Sequence, residues 1–580
     1  MKALRYLNKY FYKYRKMLMV GIILTIVARV FSLQVPRMVG NSLTQVELYL
    51  TNSKDATENI QQILLINILI ILAAALLSGL FTFWMRQCII NVSRYIEFDL
   101  KNEIFSHYLR LTQRFFKNNR TGDLMNRVSE DVSKVRMYFG PALMYSINTI
   151  TLFVVIIAYM FSVAPQLSAY TIIPFPILSI LIYKLSRRIN IKSTRVQEML
   201  SKMSTFSQES FNGISVIKSY RIEKRMEKSF DIMTRLNYQK SMDLAKIQAW
   251  FFPLMILLIG CSNLIVIFIG GKKYIDGSID IGILAEFIIY VNMLTWPVAL
   301  VGWITSIVQQ SEASQQRINE FLKESPEIQN GVENLKAQTP DIKFHQVSVR
   351  YPETQVKALN LVSLEIPYGQ TIGIIGKVGS GKTTLLNLIP RLYDSDKGLI
   401  KIDQINIKEF DLKSLRNAIG YVPQQSFLFS ETIEDNIRFG KNEATFNEIQ
   451  QAAKNASVHH NIIAFKNGYK TLLGERGVTL SGGQVQRISI ARALLKNPKI
   501  LLLDDCLSAV DSETEKTILN NLRELRKNKT TIIVSHRISS IEDADVIVVL
   551  EKGNIIEYGN HQQLFSDKKY YYDLYRKQNS

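Results

Sequence analysis

The stretch Gly376-Lys-Val-Gly-Ser-Gly-Lys382-Thr383-Thr384 decides the fold of the second half of this 580-residue chain. An apolar run, Thr371 to Ile375, precedes it, and a helix-like stretch, Leu385 to Ile389, follows it. This is the pattern G-x-x-x-x-G-K-[ST] between a strand and a helix, which is the setting that the pattern requires. The glycines let backbone N–H groups cradle phosphate, and the helix N-terminus adds partial positive charge. The sequence therefore predicts a nucleoside triphosphate site, with Lys382 on the β- and γ-phosphates and Thr383 on Mg²⁺.

Six long apolar runs occupy the first 310 residues, and nothing comparable follows residue 320. Each run approaches the roughly 20 residues that a helix needs to span a bilayer. A buried core helix could explain one such run, but six of them predict a membrane domain. The runs are Met17 to Val35, Ile63 to Trp84, Met144 to Val163, Leu167 to Tyr183, Ala249 to Gly270 and Leu284 to Ile307.

Basic residues predict the orientation of these spans. The first 16 residues contain six Lys and Arg side chains and no acid, and the segment after the fourth run begins with Lys184, Arg187 and Arg188. Because excess Lys and Arg stays on the cytoplasmic side, both termini are predicted to be cytoplasmic. A cleavable signal peptide is the alternative for the N-terminus, but the first run is too long for one and no small-residue cleavage site follows it.

The net charge of +20 does not require a nucleic-acid partner. Residues 1–335 hold 37 basic and 23 acidic side chains, so most of the excess lies in the predicted membrane half. The positive-inside bias accounts for it there, and no nucleic acid is expected to bind. The three cysteines, Cys88, Cys261 and Cys506, lack metal-ligand spacing and are expected to be reduced, mostly buried thiols.

Two predicted intracellular stretches, Arg86 to Tyr138 and Lys184 to Gln248, are unusually long for membrane loops. Both have helical periodicity and mixed charge, so the spans are predicted to continue as helices into the cytosol. About 25 residues of helix would reach some 35–40 Å beyond the bilayer. The chain would turn back near Phe115 to Asp123 and near Glu209 to Ile217. These turns could touch a cytosolic domain, or they could be solvated helical hairpins.

Two further features of the second half complement the phosphate loop. The apolar run Ile500 to Leu503 ends in Asp504 and Asp505, which places carboxylates beside the loop, where Asp504 would hold Mg²⁺. The turn Leu480-Ser-Gly-Gly-Gln484 opens a second helix and forms a second anion-binding N-terminus. One triphosphate needs only one such cradle. If two copies pair head to tail, the Ser481 turn of one chain would close over the γ-phosphate held by the other.

The ordered motifs resemble those of the ATP-binding-cassette (ABC) transporter family, and the whole chain resembles a half-size transporter of the exporter fold. Such an ordered set is far more specific than a single phosphate-loop match. It comprises the aromatic residue Tyr351, the Walker A motif Gly376 to Thr383, the Q-loop residue Gln424, the segment Leu473 to Gly477, the LSGGQ signature, the Walker B strand ending at Asp504, the D-loop Ser508 to Asp511 and the switch residue His536.

The resemblance implies particular roles for these residues. Tyr351 would stack on adenine, a contact worth about 1 kcal/mol. Gln424 would link the Mg²⁺ and water site to the membrane domain, and His536 would contact the γ-phosphate. Asp505, His536 and Gln424 are the expected catalytic residues.

The resemblance also implies the complete binding set. The expected Mg²⁺ ligands are Thr383, Gln424 and Asp504. Glu475 and Arg476 would meet the intracellular turns, which match the family's coupling helices. The expected ATP-binding residues are Tyr351, Gly376, Lys377, Val378, Gly379, Ser380, Gly381, Lys382, Thr383, Thr384, Gln424, Ser481, Gly482, Gly483, Gln484, Asp511 and His536.

Asp505 departs from the family pattern, which usually has glutamate at this position as the base that polarises the attacking water. A carboxylate retracted by about 1 Å can lose on the order of 100-fold in rate. In the family, such substitutions recur in one member of asymmetric heterodimers, where one of two sites is degenerate. A homodimer that tolerates aspartate through a bridging water is the alternative.

Several polar residues lie at predicted membrane depth: Arg29, Gln34, Asn148, Glu286 and Asn292. Such residues often line a pathway, but hydrogen bonds between helices, or for Glu286 a reach to the interface, are equally ordinary explanations. Phe287, Met293 and Trp303 would form an adaptable wall for amphipathic compounds, or would simply pack or face lipid.

The sequence thus predicts an all-α membrane domain of six helices with long cytosolic extensions, over residues 1–325. A linker, 326–340, and an α/β P-loop ATP-binding-cassette domain, 341–575, follow. The expected assembly is a dimer with an identical or a related half-transporter chain, multi-pass in the cell's inner membrane. Its expected cofactors are ATP and Mg²⁺.

The expected function is ATP-driven export of an amphipathic or lipophilic small molecule (a drug, a lipid or a peptide-like compound) by alternating access. One alternative is an importer of the same fold, carrying a metal chelate. The other is an ATP-gated regulator or pore with weak hydrolysis, which Asp505 makes conceivable. The six spans exclude the soluble cassette proteins of DNA repair or translation.

Overall fold

The computed structural model describes residues 2–51, 57–336, 339–474, 480–527 and 529–579. The chain divides into two units. The first unit comprises Met1–Leu109 and Arg120–Ser325, and the second comprises Arg110–Asn119 and Pro326–Ser580. A short piece from between the second and third spans therefore belongs to the C-terminal unit.

Among the residues that the structure describes in the first unit, six helical runs are long and apolar enough to cross a membrane. They contain 42 to 53 residues each, about twice the roughly 20 residues that a bilayer needs. The prediction that the spans continue as helices beyond the bilayer is therefore confirmed. In order, the six spans are Ala3–Thr51, Ile60–Tyr108, Thr121–Val163, Pro165–Asn212, Glu223–Ile275 and Ile281–Leu322.

The helices that build these runs are mostly continuous, with π-helical turns at Arg127–Asp131, Tyr138–Ala142 and Val266–Gly270 and a 3₁₀ turn at Ala3–Leu7. Two short helices, Gln113–Asn118 and Ile214–Ser219, lie where the chain reverses direction, in the regions predicted for the turns. The other α-helices are Asn8–Thr51, Thr57–Tyr108, Thr121–Asn126, Val132–Met137, Leu143–Val163, Pro165–Ile172, Pro174–Asn212, Glu223–Gln248, Phe251–Ile265, Gly271–Ile275 and Ile281–Leu322.

Polar residues predicted at membrane depth hold helices together in this unit. Arg29 Nε donates a hydrogen bond to Asn148 Oδ1 at 2.7 Å, which joins the first and third spans. The first and sixth spans approach closely, because a Cβ atom on Gly282 would lie 2.2 Å from the carbonyl oxygen of Gly40. Glu286, one turn further along, is buried against Gly40. Arg29, Asn148 and Glu286 therefore make interhelical contacts, whereas Asn292 Nδ2 donates within its own helix to the carbonyl oxygen of Ile288.

The second unit contains two β-sheets. Strands β1 to β10 are Ile342–Arg350, Lys357–Ile366, Thr371–Ile375, Lys397–Ile402, Ile405–Asn406, Ile419–Val422, Ile500–Asp504, Thr530–Val534, Val546–Glu551 and Asn554–Gly559. The larger sheet has the order β10-β9-β3-β8-β7-β6, in which only the β9–β10 pair is antiparallel. The smaller sheet, β2-β1-β4-β5, is antiparallel.

The parallel sheet positions the site, because its strands are buried on both faces and all end at one edge. Every residue of β3, β7 and β8 is buried, as their unbroken apolar runs predict. Ligands bind at the carboxyl ends of such strands.

The helices that follow the linker in this unit are Lys382–Leu388, Leu412–Asn417, Ile433–Arg438, Phe446–Asn455, His459–Ile463, Gly482–Leu495, Ser512–Leu525, His561–Ser566 and Tyr570–Asn579.

The three cysteines are free, as expected, but they differ in burial. Cys506 is buried behind the end of β7, Cys88 is half-buried and Cys261 is exposed. The expectation of mostly buried thiols was wrong for Cys261, because it lies on a membrane-spanning helix, whose outward face need not pack against protein.

Candidate nucleotide site

A cavity of about 260 Å³ lies at the carboxyl ends of β3, β7 and β8. Most of the residues predicted to hold ATP and Mg²⁺ meet in its wall. They are Tyr351, Val378, Gly379, Ser380, Gly381, Lys382, Thr383, Thr384, Gln424, Asp504 and His536, and the expected catalytic residue Asp505 lines the cavity with them. The fold thus brings together five motifs that are spread over 186 positions of the sequence, from Tyr351 to His536.

The phosphate loop depends on its glycines. Gly381, at the start of the helix Lys382–Leu388, has φ +104°, and a Cβ atom there would lie 2.3 Å from the carbonyl oxygen of Ala358. Gly379 has φ +80° and open space beside it. These left-handed conformations favour glycine, and they shape the turn around the place where phosphate would lie.

Lys382 is held inside this loop. Its Nζ donates hydrogen bonds to the carbonyl oxygens of Gly376 at 2.8 Å and Lys377 at 2.9 Å. Burial lowers the pKa of Lys382, and the charges of Asp505 and Asp504 act in the opposite direction. An incoming phosphate would therefore compete with two neutral carbonyl groups for this cation. A charged acceptor makes the stronger hydrogen bond.

Asp504 and Thr383 present oxygen atoms suited to a hard cation. Thr383 Oγ1 donates to Asp504 Oδ1 at 3.2 Å, whereas Asp504 Oδ2 and Ser380 Oγ are buried and have no hydrogen-bond partner among the described residues. Burial raises the pKa of Asp504, which the Thr383 hydrogen bond partly offsets. Carboxylate and hydroxyl oxygens beside a phosphate cradle are the donors that Mg²⁺ prefers, so these residues fit that ion.

Asp505 follows directly and has an unusual backbone, with φ +46°. Its Oδ2 accepts a long hydrogen bond, 3.4 Å, from Gln424 Nε2. His536 lies in the same cavity. Burial and the nearby charge of Lys382 lower the pKa of His536, although Asp505 opposes the shift. The imidazole is therefore neutral near pH 7.

Tyr351 lies at the side of the cavity where the two sheets meet. Its hydroxyl is 3.0 Å from Thr384 Oγ1, and its ring meets the edge of Tyr393, with the ring centroids 5.9 Å apart. Val356 and Ala358 extend the apolar wall here, and Val534 lines the cavity as well. Sequence reasoning missed these three residues. No motif marks them in the sequence, and Val356 reaches the cavity through a turn in which Tyr351 N–H donates to its carbonyl oxygen at 3.0 Å.

The second cradle, Ser481 to Gln484, is not part of this cavity's described wall. Ser481 and Gln484 form a capping box at the start of the helix Gly482–Leu495. Gly483 packs close to the D-loop, because a Cβ atom there would lie 2.8 Å from the carbonyl oxygen of Ala509. The Asp511 carboxylate caps the helix Ser512–Leu525. Within one chain the two cradles therefore belong to separate surfaces.

The first intracellular turn lies against the edge of the nucleotide unit, to which its residues belong. Arg114 Nε and Asn118 Nδ2 donate to the same oxygen of Glu353, at 2.6 and 2.8 Å. Lys117 Nζ lies 5.5 Å from the centroid of the Tyr393 ring. Since Glu353 and Tyr393 both adjoin Tyr351, this turn reaches the side of the cavity predicted for adenine. Glu475 and Arg476, also predicted to meet the turns, lie outside the described residues.

Comparison with known proteins agrees with this geometry. The family model for the ABC transporter transmembrane region matches residues 18–298, and the model described as ABC transporter matches residues 359–508. The chain is 35% identical to the probable multidrug resistance ABC transporter ATP-binding/permease protein YheI of Bacillus subtilis, over 99% of this chain and 97% of that protein. It is 36% identical to the multidrug resistance-like ATP-binding protein MdlA of Escherichia coli, over 85% and 84%.

A solved structure of a bacterial Atm1-family ABC exporter with ATP bound has the same fold, with a TM-score of 0.83 at 24% identity. The match covers 98% of this chain and 99% of that one. The chain therefore belongs to the ABC transporter family. It is a multi-pass membrane protein and an ATP-driven exporter that hydrolyses ATP, and the predicted family, fold class and enzyme class are confirmed.

Proposed function

We propose that two such chains clamp two ATP molecules between their nucleotide units and export an amphipathic small molecule. The observation that carries this proposal is the separation of the two cradles. The cavity gathers the Walker A loop, Asp504, Gln424 and His536, but its described wall lacks Ser481 to Gln484. Ser481 of the opposite chain would complete it, because its helix N-terminus is a second anion site.

The catalytic residues act mainly by positioning and by neutralising charge. Lys382 leaves its loop carbonyl groups and binds the β- and γ-phosphates. Asp505 orients the attacking water, and neutral His536 contacts the γ-phosphate as a hydrogen-bond partner. Thr383, Asp504 and Gln424 would hold Mg²⁺, which when bound supplies positive charge to the phosphate oxygens.

The membrane unit would respond because the chain between its second and third spans, Arg110–Asn119, belongs to the nucleotide unit. Arg114 binds Glu353 of the nucleotide unit and also Glu327 of the linker, at 3.2 Å. The turn Gln113–Asn118 therefore has to follow any movement of that surface. When two nucleotide units close around ATP, the turns would draw the cytoplasmic ends of the spans together and favour an outward-facing state.

The substrate class rests on the relatives and on the membrane unit. YheI and MdlA carry multidrug resistance in their names. Aromatic and aliphatic side chains dominate the spans, so an amphipathic compound fits better than an ion. We propose a bacterial inner membrane as the location. The partner chain is either identical or a related half-transporter, and Asp505 bears on that choice.

Transport into inverted membrane vesicles tests the proposal. Vesicles containing this chain, or this chain with its partner, should accumulate an amphipathic dye when ATP is supplied outside, and Lys382→Ala should abolish accumulation. Accumulation in right-side-out vesicles instead would indicate an importer. Flux that is unchanged by Lys382→Ala would indicate a pore and would contradict the proposal.

A further inference from the structure

One cavity in the membrane unit has no assigned role. Its volume is about 470 Å³, and it is lined by the helix Pro174–Asn212 of the fourth span, by Phe251 of the fifth span and by the sixth span, Ile281–Leu322. Volumes of about 300–1,000 Å³ are typical of small-molecule sites. The helices touch beside the cavity, because a Cβ atom on Gly302 would lie 2.4 Å from Ser186 Oγ. The cavity is therefore bounded by a close contact between the fourth and sixth spans.

Helix length places the cavity at the cytoplasmic boundary of the bilayer if the sixth span enters the membrane near Ile281, as the predicted orientation has it. Trp303 in its wall follows the outer end of the sixth span, Ile281, by 22 residues. That length of helix rises about 33 Å, slightly more than the roughly 30 Å of the hydrocarbon core. Residues such as Gln309 and Gln310, also in the wall, lie further toward the cytosol. A molecule bound here would have its apolar part in the membrane and its polar part at the headgroup level.

The wall has one apolar end and one polar end. Trp303 and Phe251 supply aromatic surface, and the Trp303 ring is fixed by the edge of Tyr145, with ring centroids 5.6 Å apart. Asn190 and Thr305 are among the amide and hydroxyl groups that line the rest. Pockets that bury an apolar body and fix it by a few polar groups are ordinary ligand sites.

Charge determines which ligand would fit. Among the described residues that line the cavity, Arg187 is the only charged one, and no carboxylate accompanies it. Arg187 makes no ion pair within the described part of the chain, unlike Lys192 on the same helix, whose Nζ lies 2.8 Å from Asp243 Oδ2. A guanidinium group beside amide and hydroxyl groups favours a phosphate, sulfonate or carboxylate head.

We propose that this cavity is a binding site for an amphiphile with a single anionic head group, which enters from the cytoplasmic leaflet or the cytosol. Arg187 binds the head, Asn190 and Thr305 complete its hydrogen bonds, and Trp303 contacts the apolar body. This inference rests on the proposed export function, because it names the substrate class for that transport.

Equilibrium binding to nucleotide-free protein tests the site. The protein is placed in phosphatidylcholine nanodiscs, and saturable binding of radiolabelled dodecyl phosphate is measured after subtraction of uptake by empty nanodiscs. Arg187→Gln should weaken saturable binding about tenfold, which is the loss expected for one charge-assisted hydrogen bond. Arg187→Lys should retain most of the affinity, which also shows that position 187 tolerates substitution.

Arg188→Gln is the matched control, because Arg188 is the next residue but does not line the cavity. It removes the same charge from the membrane surface and should leave the affinity within about twofold. Equal losses for Arg187→Gln and Arg188→Gln would overturn the inference, since surface potential alone would then explain binding. Competition by dodecyltrimethylammonium as effective as that by unlabelled dodecyl phosphate would overturn it as well.

The binding assay separates this inference from the function it rests on. Binding is measured without ATP, so it does not depend on hydrolysis or transport. Dodecyl phosphate that binds through Arg187 but is not moved into inverted vesicles would contradict export and leave the site established. Transport of cationic dyes without saturable dodecyl phosphate binding would support export and would overturn the proposed site. A second comparison distinguishes the membrane leaflet from the cytosol as the source of the ligand. Hexyl phosphate, which is short and water-soluble, is compared with dodecyl phosphate. Tight binding of both indicates a cytosolic source, and tight binding of dodecyl phosphate alone indicates the leaflet.

Discussion

Asp505 is the residue that we propose orients the attacking water. It follows Asp504 at the end of β7, in a left-handed backbone conformation with φ +46°. Its side chain is one methylene shorter than the glutamate usual in the family, and within the described part of the chain it accepts a hydrogen bond from Gln424. Because the shorter side chain holds its carboxylate about 1 Å further back, we expect Asp505 to orient the attacking water poorly.

Asp505→Glu should therefore raise the ATPase rate of the purified chain by up to about 100-fold, because the longer side chain restores the reach of the carboxylate. The measurement is phosphate release at saturating ATP, with Lys382→Ala as the inactive reference. Rapid turnover of the unchanged chain, with no gain from glutamate, would contradict a degenerate site and support a homodimer.

The pH dependence of hydrolysis should report His536. Burial lowers its pKa, so the neutral form persists below the ordinary value of about 6.5 and protonation comes only at more acidic pH. We expect kcat/KM to be flat from pH 8 to about 6.5 and to fall only below that, since kcat/KM reports the free enzyme. His536→Gln should remove this acidic limb from its residual activity. An acidic limb centred above pH 7 would contradict a neutral His536.

At the scale of elements, the turn Gln113–Asn118 is the connection that the structure describes best between the spans and the nucleotide unit. Glu353 accepts hydrogen bonds from Asn118 and Arg114, which together lower the pKa of this carboxyl to about 2. A depressed carboxyl pKa means that the pair is present above about pH 4.3 and is lost only as the pH falls towards 2. The contact should therefore be constant between pH 5 and 8.

Reversal of this ion pair tests its part in coupling. Arg114→Glu or Glu353→Arg alone should lower the number of substrate molecules transported per ATP about two- to fivefold, with hydrolysis retained, since a partly exposed pair contributes modestly. The double variant should recover most of the loss. The matched control is Arg235→Glu, which breaks an exposed pair with Asp231 on the helix Glu223–Gln248 and should change nothing. Failure of the double variant to recover would contradict a direct role for the pair.

At the scale of the whole molecule, the proposed assembly requires Ser481 of one chain to approach Ser380 of another. A chain that carries Ser380→Cys and Ser481→Cys, with its three native cysteines replaced, should form disulfide-linked dimers when it is oxidised without nucleotide, and bound ATP should protect the two thiols because it would lie between them. Each single variant should remain a monomer on a non-reducing gel. A disulfide formed within one chain would contradict the separation of the two cradles, and with it the shared site.

The sequence itself predicted the larger features. Six apolar runs cannot be buried in a soluble fold, so they had to be spans, and charged runs with helical periodicity had to continue as helices in the cytosol. The buried strands β3 and β7 were evident from unbroken apolar residues. The phosphate loop was equally evident, because Gly381 is required by a left-handed turn and a close backbone contact.

Only the tertiary structure decided which distant groups meet. Nothing local in the sequence pairs Arg114 with Glu353 or Arg29 with Asn148, because each pair depends on how elements more than a hundred residues apart pack. Val356 and Ala358 are apolar and belong to no sequence motif. Their place in the cavity follows only from the folded structure, in which they lie immediately before and within the start of β2. The cavity around Arg187 likewise depends on the spacing between two spans. Local chemistry thus determined the kinds of element and the phosphate chemistry, whereas packing determined the contacts through which the proposed site would act.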